Sequence, residues 1–175
     1  MIRQKHSILE RVNEHVIVNR PLSLNKDENE TIKDKDTIMG FLESAPDVWV
    51  QLDDGSFQTK HLLCVELVNA LNELIPNIDW DRTEAITNVH TNNVPMDNKL
   101  HNHKGQADIV GVYFVSGSSG DLVIDGGFTR NIIDISDACG HMIFFHPEDY
   151  HGVCRLRASE TEPRITVAFN IRLKG

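Results

Sequence analysis

Three histidines in the second half of the chain have the type and spacing needed to bind a metal ion. His101 and His103 are separated by one residue, and His151 follows 48 residues later, at the start of a predicted strand. In an extended backbone, residues i and i+2 face the same way, so the two imidazoles of the pair can point into one cavity. A third imidazole from an opposing strand would make a three-point site with open positions, suited to Fe(II), Zn(II), Cu or Ni.

A basic residue and a hydroxyl lie 13 and 15 residues after the third histidine. Arg164 and Thr166 open the last predicted strand and share a face by the same two-residue period. The planar guanidinium of arginine binds a carboxylate through two parallel hydrogen bonds. Because an unpaired buried cation is costly, an inward-facing Arg164 predicts an anionic ligand in the same cavity.

The elements that must position these residues are short strands. Runs rich in β-branched and aromatic residues alternate with turn clusters, which is typical of a sandwich or barrel rather than of βαβ units. We therefore predict a mainly β (α+β) fold with a jelly-roll-like core. The predicted strands are Glu84–Val94, Ala107–Val115, Asp121–Asp125, His141–His146, His151–Leu156 and Arg164–Leu173. His90 falls in the first of these, on a face that the sequence does not define.

The first half of the chain is predicted to support this core. Residues 7–18 favour one or two strands, and residues 25–37 carry eight charges, which predicts a solvated loop at least in their first half. Apolar residues at helical spacing predict a short helix ending before Pro46 and a clearer one from Leu63 to Leu74. We predict a single domain, 1–175, with support in 1–83 and the barrel core in 84–175.

Composition narrows the class of partner. The 175 residues carry 17 basic and 26 acidic side chains, a net charge of −9, so neither nucleic acid nor a membrane is expected as a partner. The three cysteines, Cys64, Cys139 and Cys154, form no CxxC pair, and no secretory or membrane-spanning run is visible. These features predict buried thiols and a cytoplasmic location, and exposed sheet edges make a homodimer an expectation.

Five elements in a fixed order resemble the iron(II)/2-oxoglutarate dioxygenase superfamily. The chain is most similar to the small 2-oxoglutarate oxygenases related to prolyl hydroxylases, over about residues 84–172. The family's fold is a double-stranded β-helix, which agrees with the strand pattern. The matching elements are His101-x-His103, Gly111–Val115, Gly140-x-x-Ile143-Phe144-Phe145-x-Pro147, His151-x-Val153 and Arg164-x-Thr166-x-x-Phe169-Asn170.

The resemblance implies a role for each matching residue. His101 and His151 would be iron ligands, and His103 stands where most members have a carboxylate ligand, although an HxH resembles the closest subgroup. Arg164 would bind the distal carboxylate of 2-oxoglutarate. The remaining implied contacts are Thr166 as a hydroxyl donor, Tyr113 as a further carboxylate contact, and Asn170 and Asp108 as residues lining the cavity.

The implied activity is oxidation at an unactivated C–H. Fe(II), 2-oxoglutarate and O2 would be the cofactor and cosubstrates, and the product would be a hydroxylated small molecule or peptidyl residue together with succinate. Two alternatives stay open. One is a cupin-type metal enzyme without 2-oxoglutarate, supported by the spacing from His101 to Asp108. The other is a barrel that has kept the fold without catalysis.

Overall fold

The described part of the chain forms two antiparallel sheets and two helices. The fold is known from a computed structural model that describes residues 9–12, 15–18, 35–61, 65–93, 100–117, 120–127, 130–134 and 139–175. In chain order the elements are β1 (Leu9–Val12), β2 (His15–Val18), α1 (Lys35–Ser44), a 3-10 turn (Pro46–Val48), β3 (Val50–Gln51), β4 (Phe57–Thr59), α2 (Val65–Leu74), β5 (Glu84–His90), β6 (Ile109–Ser116), β7 (Asp121–Asp125), β8 (Arg130–Asp134), β9 (Met142–Phe145), β10 (Tyr150–Cys154) and β11 (Arg164–Ile171).

Eight strands form the larger sheet and three form the smaller one. The order in the larger sheet is β1-β2-β9-β6-β11-β5-β4-β3, and in the smaller sheet it is β10-β7-β8. Every strand pairing is antiparallel. The predicted mainly β fold with a double-stranded β-helix core is thus confirmed, and strands from both halves of the chain contribute to the larger sheet.

Each face of the larger sheet packs on a different layer. On β11, Ile165, Val167 and Phe169 join a buried cluster with Ile38 of α1 and Leu71 of α2. The opposite face of the sheet turns its apolar residues towards the smaller sheet. That second cluster contains Val110, Phe114, Ile143 and Phe145 of the larger sheet with Leu122 and Ile124 of β7. The helices therefore cover one face, and the space between the two sheets lies on the other.

Both predicted helices are present, and the structure differs from the sequence predictions in two strands and two cysteines. The strands β4 and β8 are not predicted from the sequence, and the predicted buried thiols are wrong for Cys139, which is exposed, and Cys154, which is half-buried. Most of the charged loop at 25–37, together with Leu63 and Cys64, lies outside the described residues. No helix in the described ranges has the length and apolar character needed to cross a membrane.

Candidate metal centre

The three histidines converge at one end of the space between the sheets. One ligand nitrogen from each of His101, His103 and His151 lies within 4.8 Å of the others. The ring centroids are 5.2 Å apart for His101 and His103, 4.4 Å for His101 and His151, and 5.0 Å for His103 and His151. The sequence spacing predicts this cluster, and the structure brings its members together.

Backbone hydrogen bonds hold the histidines in place. His101 and His151 exchange both of their backbone N–H···O bonds, at 3.0 and 2.8 Å, so the segment before β6 is fastened to β10. The backbone N–H of His103 donates to the carbonyl of Pro147 at 2.8 Å. These bonds tie His101 and His103 to the segment from Pro147 to His151. Because the three ligand nitrogens already lie within 4.8 Å of one another, the imidazoles need no large movement to bind one ion.

Two of the imidazoles are held in the neutral form that binds metals. Burial, followed by the neighbouring His101, lowers the pKa of His151 to about 3, against an opposing hydrogen bond to the Asp149 carbonyl. Burial and His101 also lower the pKa of His103. Nδ1–H of His151 donates to that carbonyl at 3.3 Å, which leaves its Nε2 lone pair free to coordinate.

The donor set fits a transition metal. Nδ1 of His103 is buried and has no hydrogen-bond partner among the described residues. A buried polar atom without a partner is costly, and a metal ion that takes its lone pair removes that cost. Three neutral imidazoles suit Fe(II), Zn(II), Cu and Ni, and the set carries one negative charge less than two histidines with a carboxylate.

Arg164 lies in the same cavity as the histidines. The cavity has a volume of about 280 Å³ and is lined by residues of both sheets. Arg164 is 3% exposed, its guanidinium carbon is 5.8 Å from the centroid of the Phe114 ring, and its Nε has no hydrogen-bond partner in the described part of the chain. Burial lowers the pKa of Arg164 to about 10, so the group still carries its charge at neutral pH.

Thr166 lines the cavity beside Arg164, as the period-2 rule predicts. Asn170 continues the same face of β11, but its amide donates to Glu84 Oε2 at 3.4 Å, and it lies beyond the lining of the cavity. The face of β11 that carries Arg164, Thr166 and Ala168 therefore forms the floor of the cavity, and Asn170 does not line it.

Two further residues predicted for the cavity lie elsewhere. Tyr113 faces the helices and packs in the buried apolar cluster beneath them. Its neighbour Phe114 lies on the opposite face of β6, which is the face that Arg164 shares. Asp108 is exposed, accepts a hydrogen bond from the backbone N–H of Leu173 at 2.8 Å and pairs with Arg172 at 3.4 Å. Neither residue lines the cavity, so the structure does not place Tyr113 at the carboxylate or Asp108 at the metal.

One wall of the cavity consists of polar residues that the sequence does not reveal. The residues are Asp54, Ser56, Gln58, Asn88 and His90, from the β3–β4 turn, β4 and β5. The sequence does not show which face of β5 carries His90. The structure shows it, because β5 pairs with β11 and His90 lies directly opposite Arg164. Nothing in the sequence indicates that the Asp54 turn reaches the same cavity.

The fold is shared with solved iron(II)/2-oxoglutarate oxygenases. A 2OG-Fe(II) oxygenase family oxidoreductase from Burkholderia pseudomallei superimposes with a TM-score of 0.59 at 11% identity, over 97% of this chain and 88% of that one. The α-ketoglutarate-dependent epimerase SnoN from nogalamycin biosynthesis gives 0.61 at 11% identity, over 98% and 82%.

A prolyl hydroxylase from Trichoplax adhaerens, in complex with a hypoxia inducible factor peptide fragment, gives a TM-score of 0.57 at 11% identity, over 97% of this chain and 86% of that one. No family model and no curated protein matches the sequence. At these identities the likeness is one of fold, and it confirms the resemblance at that level.

Proposed function

We propose that this chain is an iron(II)/2-oxoglutarate-dependent oxygenase that hydroxylates a C–H bond of a small molecule or a peptidyl residue. The observation that carries the proposal is the presence, in one cavity, of three convergent imidazoles and a buried guanidinium that pairs with no carboxylate of the described residues. A ligand with a metal-chelating end and a carboxylate at the other end matches this pair of groups. 2-Oxoglutarate is such a ligand.

The residues of the chain then have separate tasks. His101, His103 and His151 would hold the ion, which when bound supplies O2 activation and the oxidative decarboxylation of 2-oxoglutarate to succinate and CO2. Arg164 would bind the distal carboxylate, with the Thr166 hydroxyl as a second donor. Phe145, whose ring centroid is 4.5 Å from that of His151, excludes water from the buried side of the cluster.

The polar wall of the cavity fits the task of binding the organic substrate. Gln58 donates to Asn88 at 2.7 Å, so the two amides form a fixed pair beside the cavity. A hydroxyl, amide or amine on a small molecule or a peptide would find both donors and acceptors there. The Trichoplax adhaerens enzyme of the same fold was solved with a peptide, which supports including peptides among the substrates to be tested.

The experiment that tests the proposal is an anaerobic titration of the Fe(II)-loaded protein with 2-oxoglutarate. We expect a weak visible charge-transfer band that is lost in His151→Ala and kept in His61→Ala, since His61 is exposed and outside the cluster. Admitting O2 should then convert 2-oxoglutarate to succinate. Bound Fe(II) with neither band nor turnover would refute the assignment of 2-oxoglutarate.

A second candidate is a cupin-type metal enzyme that does not use 2-oxoglutarate. It is favoured by the third histidine, because the usual two-histidine, one-carboxylate set is replaced by three neutral imidazoles. Such an enzyme has no use for a buried guanidinium facing the metal cavity. The two candidate functions therefore differ in the role that they give to Arg164. Metal binding without any affinity for 2-oxoglutarate would favour the second.

A further inference from the structure

Next to Arg164 the cavity contains a second buried residue whose polar group has no partner. His90 lines the cavity directly opposite Arg164 on the neighbouring strand, and its side chain is 16% exposed. Its Nδ1 is buried without a hydrogen-bond partner in the described residues, as is Nε of Arg164. Buried polar atoms are almost always hydrogen-bonded. Two nitrogens without a partner on directly paired residues therefore indicate one ligand group that can reach both.

The other nitrogen of His90 faces a carboxylate. Nε2 lies 3.8 Å from Oδ2 of Asp54, in the turn between β3 and β4. Ser56 donates to Oδ1 of Asp54 from its backbone N–H at 2.9 Å and from its hydroxyl at 2.5 Å. Burial raises the pKa of Asp54, but these hydrogen bonds and the nearby His90 outweigh it, so the pKa lies below its ordinary value and Asp54 is charged at neutral pH.

We propose that His90 is a second contact for the carboxylate that Arg164 binds. In the bound state Nδ1–H donates to that carboxylate, Nε2–H forms an ion pair with Asp54, 3.8 Å away, and the ring carries one proton taken up from the solvent. His90 is then a positioning residue that contacts the distal end of the cosubstrate from the strand next to Arg164, on the same face of the sheet. The inference rests on the proposed function, because 2-oxoglutarate supplies the carboxylate.

The free state lacks this proton for a physical reason. Burial first, and then the positive charge of Arg164, lower the pKa of His90 to about 4, against the opposing effect of Asp54. These two are the charged groups that face His90 from β11 and from the β3–β4 turn, and the three histidines of the cluster lie elsewhere on the same cavity. A carboxylate bound at Arg164 neutralises the main repulsive charge and adds an attractive one, so the pKa of His90 rises on binding.

A neutral His90 could not serve both neighbours. With the proton on Nε2 alone, the lone pair of Nδ1 would meet the carboxylate, and with the proton on Nδ1 alone, the lone pair of Nε2 would meet Asp54. Two negative neighbours are both satisfied only by an imidazolium, which has two N–H donors. Binding is therefore linked to uptake of one proton, and affinity falls as pH rises from about 4 towards the pKa of the complex.

The test is calorimetric titration of 2-oxoglutarate into the Zn(II)-loaded full chain, in buffers that differ in ionisation enthalpy. Zn(II) prevents turnover and keeps the cluster histidines from titrating. The wild type should take up a proton, up to about one per ligand bound, and its affinity should fall by up to about tenfold per pH unit within the linked range. His90→Gln should lose this uptake and this slope, and His61→Gln, an exposed control, should keep both.

A second variant keeps the proposal testable in case His90→Gln fails to fold. Asp54→Asn leaves His90 in place and alters only a partly exposed turn residue, and it should reduce the proton uptake. Imidazole ¹⁵N shifts of the wild type should also move from neutral to imidazolium values for one histidine when 2-oxoglutarate is added. All three readouts observe binding, and none of them requires turnover.

The outcomes separate the two levels of the proposal. Binding of 2-oxoglutarate with equal proton uptake in the wild type, His90→Gln and Asp54→Asn would overturn the role of His90 and leave the proposed function standing. Absence of 2-oxoglutarate binding to a protein that holds Zn(II) would overturn the proposed function and, with it, the inference. Proton uptake that depends on both His90 and Asp54 would establish His90 as the second contact of the carboxylate.

Discussion

The burial of Arg164 is the feature at the residue scale that most constrains function. A buried ion without a partner destabilises the folded state, and replacing it with an apolar side chain of similar volume is often neutral or stabilising. We expect Arg164→Met to leave the thermal stability of the ligand-free protein unchanged or higher. Its affinity for 2-oxoglutarate should fall at least about 30-fold, since losing one partner of a buried charge pair costs about 2 kcal/mol or more. Thermal unfolding and equilibrium binding measure the two effects.

Arg172 provides the matched control for that substitution. It pairs with Asp108 at 3.4 Å outside the cavity, so Arg172→Met removes a cation that already has its partner. This variant should keep the affinity for 2-oxoglutarate and gain no stability. Equal losses of affinity in Arg164→Met and Arg172→Met would show that overall charge, and not the cavity contact, governs binding.

His90 makes the stability of the metal-free protein depend on pH. Its pKa is about 4 in the folded state and about 6.5 in the unfolded chain, so the unfolded state binds more protons between these values. Stability is therefore fully present above pH 6.5 and is lost as the pH falls towards 4. The expected loss from His90 is about 3 kcal/mol.

Urea denaturation in a chelating buffer at pH 7, 5.5 and 4 measures this loss. His90→Gln should show a shallower decline than the wild type by about the same 3 kcal/mol, and His61→Gln should follow the wild type. A decline of equal depth in His90→Gln and the wild type would assign the acid sensitivity to other groups and contradict the buried, neutral state of His90.

At the scale of elements, the turn after β6 determines where Arg164 can lie. Gly117 has a φ of 84°, and a Cβ at this position would lie 2.6 Å from Cα and 2.8 Å from Cβ of Arg164. Gly127 has a similar φ of 90°, but a Cβ there would meet no atom of the described residues within 4 Å. The two glycines thus share a positive φ and differ in whether a Cβ would meet a neighbouring strand.

That difference allows the contact to be separated from the conformation. Gly127→Ala should lose roughly 1 kcal/mol of stability from the left-handed backbone alone. Gly117→Ala should lose more, because the start of β11 must move, and its affinity for 2-oxoglutarate should also fall. The midpoint of urea unfolding and the dissociation constant measure both effects. Equal destabilisation of the two variants, with unchanged affinity, would contradict a role for the turn in positioning Arg164.

The strand pattern accounts for how much of the fold could be predicted. The two-residue period places Arg164 and Thr166 on one face correctly, because it needs only an extended backbone. It cannot tell which of Tyr113 and Phe114 faces the cavity, since both are large and apolar and both faces of β6 are buried. β4 is three residues long, and the two apolar residues of β8, Ile132 and Ile133, are adjacent, so neither strand shows the alternation by which it could be recognised.

The candidate site was predictable only where its residues come in patterns. The HxH pair and the later histidine have fixed spacings, whereas His90 and Asp54 reach the cavity through strand register and a turn. Asp108 has the spacing of a cupin ligand, yet its carboxylate accepts from the Leu173 backbone, a long-range contact that no local pattern contains. The sequence thus indicates residues that have a fixed spacing along the chain. Strand register, which the sequence does not show, determines which further residues reach the cavity.

At the scale of the whole molecule, the metal site connects segments that are distant along the chain. His101 and His103 precede β6, and His151 belongs to β10 of the smaller sheet. An ion bound by all three would link β10 to the segment that leads into β6, and because the unfolded chain does not keep the site together, binding adds directly to stability. At a free metal concentration 100 times the dissociation constant, the gain is about 2.7 kcal/mol.

For a chain of this length such a gain corresponds to a rise in melting temperature of about 5–10 °C. We expect Zn(II) to produce that rise in the wild type, a chelator to reverse it, and His151→Ala to show none of it. A single unfolding transition that moves as a whole would mean that both sheets and the helices unfold together. A shift of equal size in His151→Ala would place the stabilising ion outside the three-histidine cluster and so remove the basis for the proposed oxygenase.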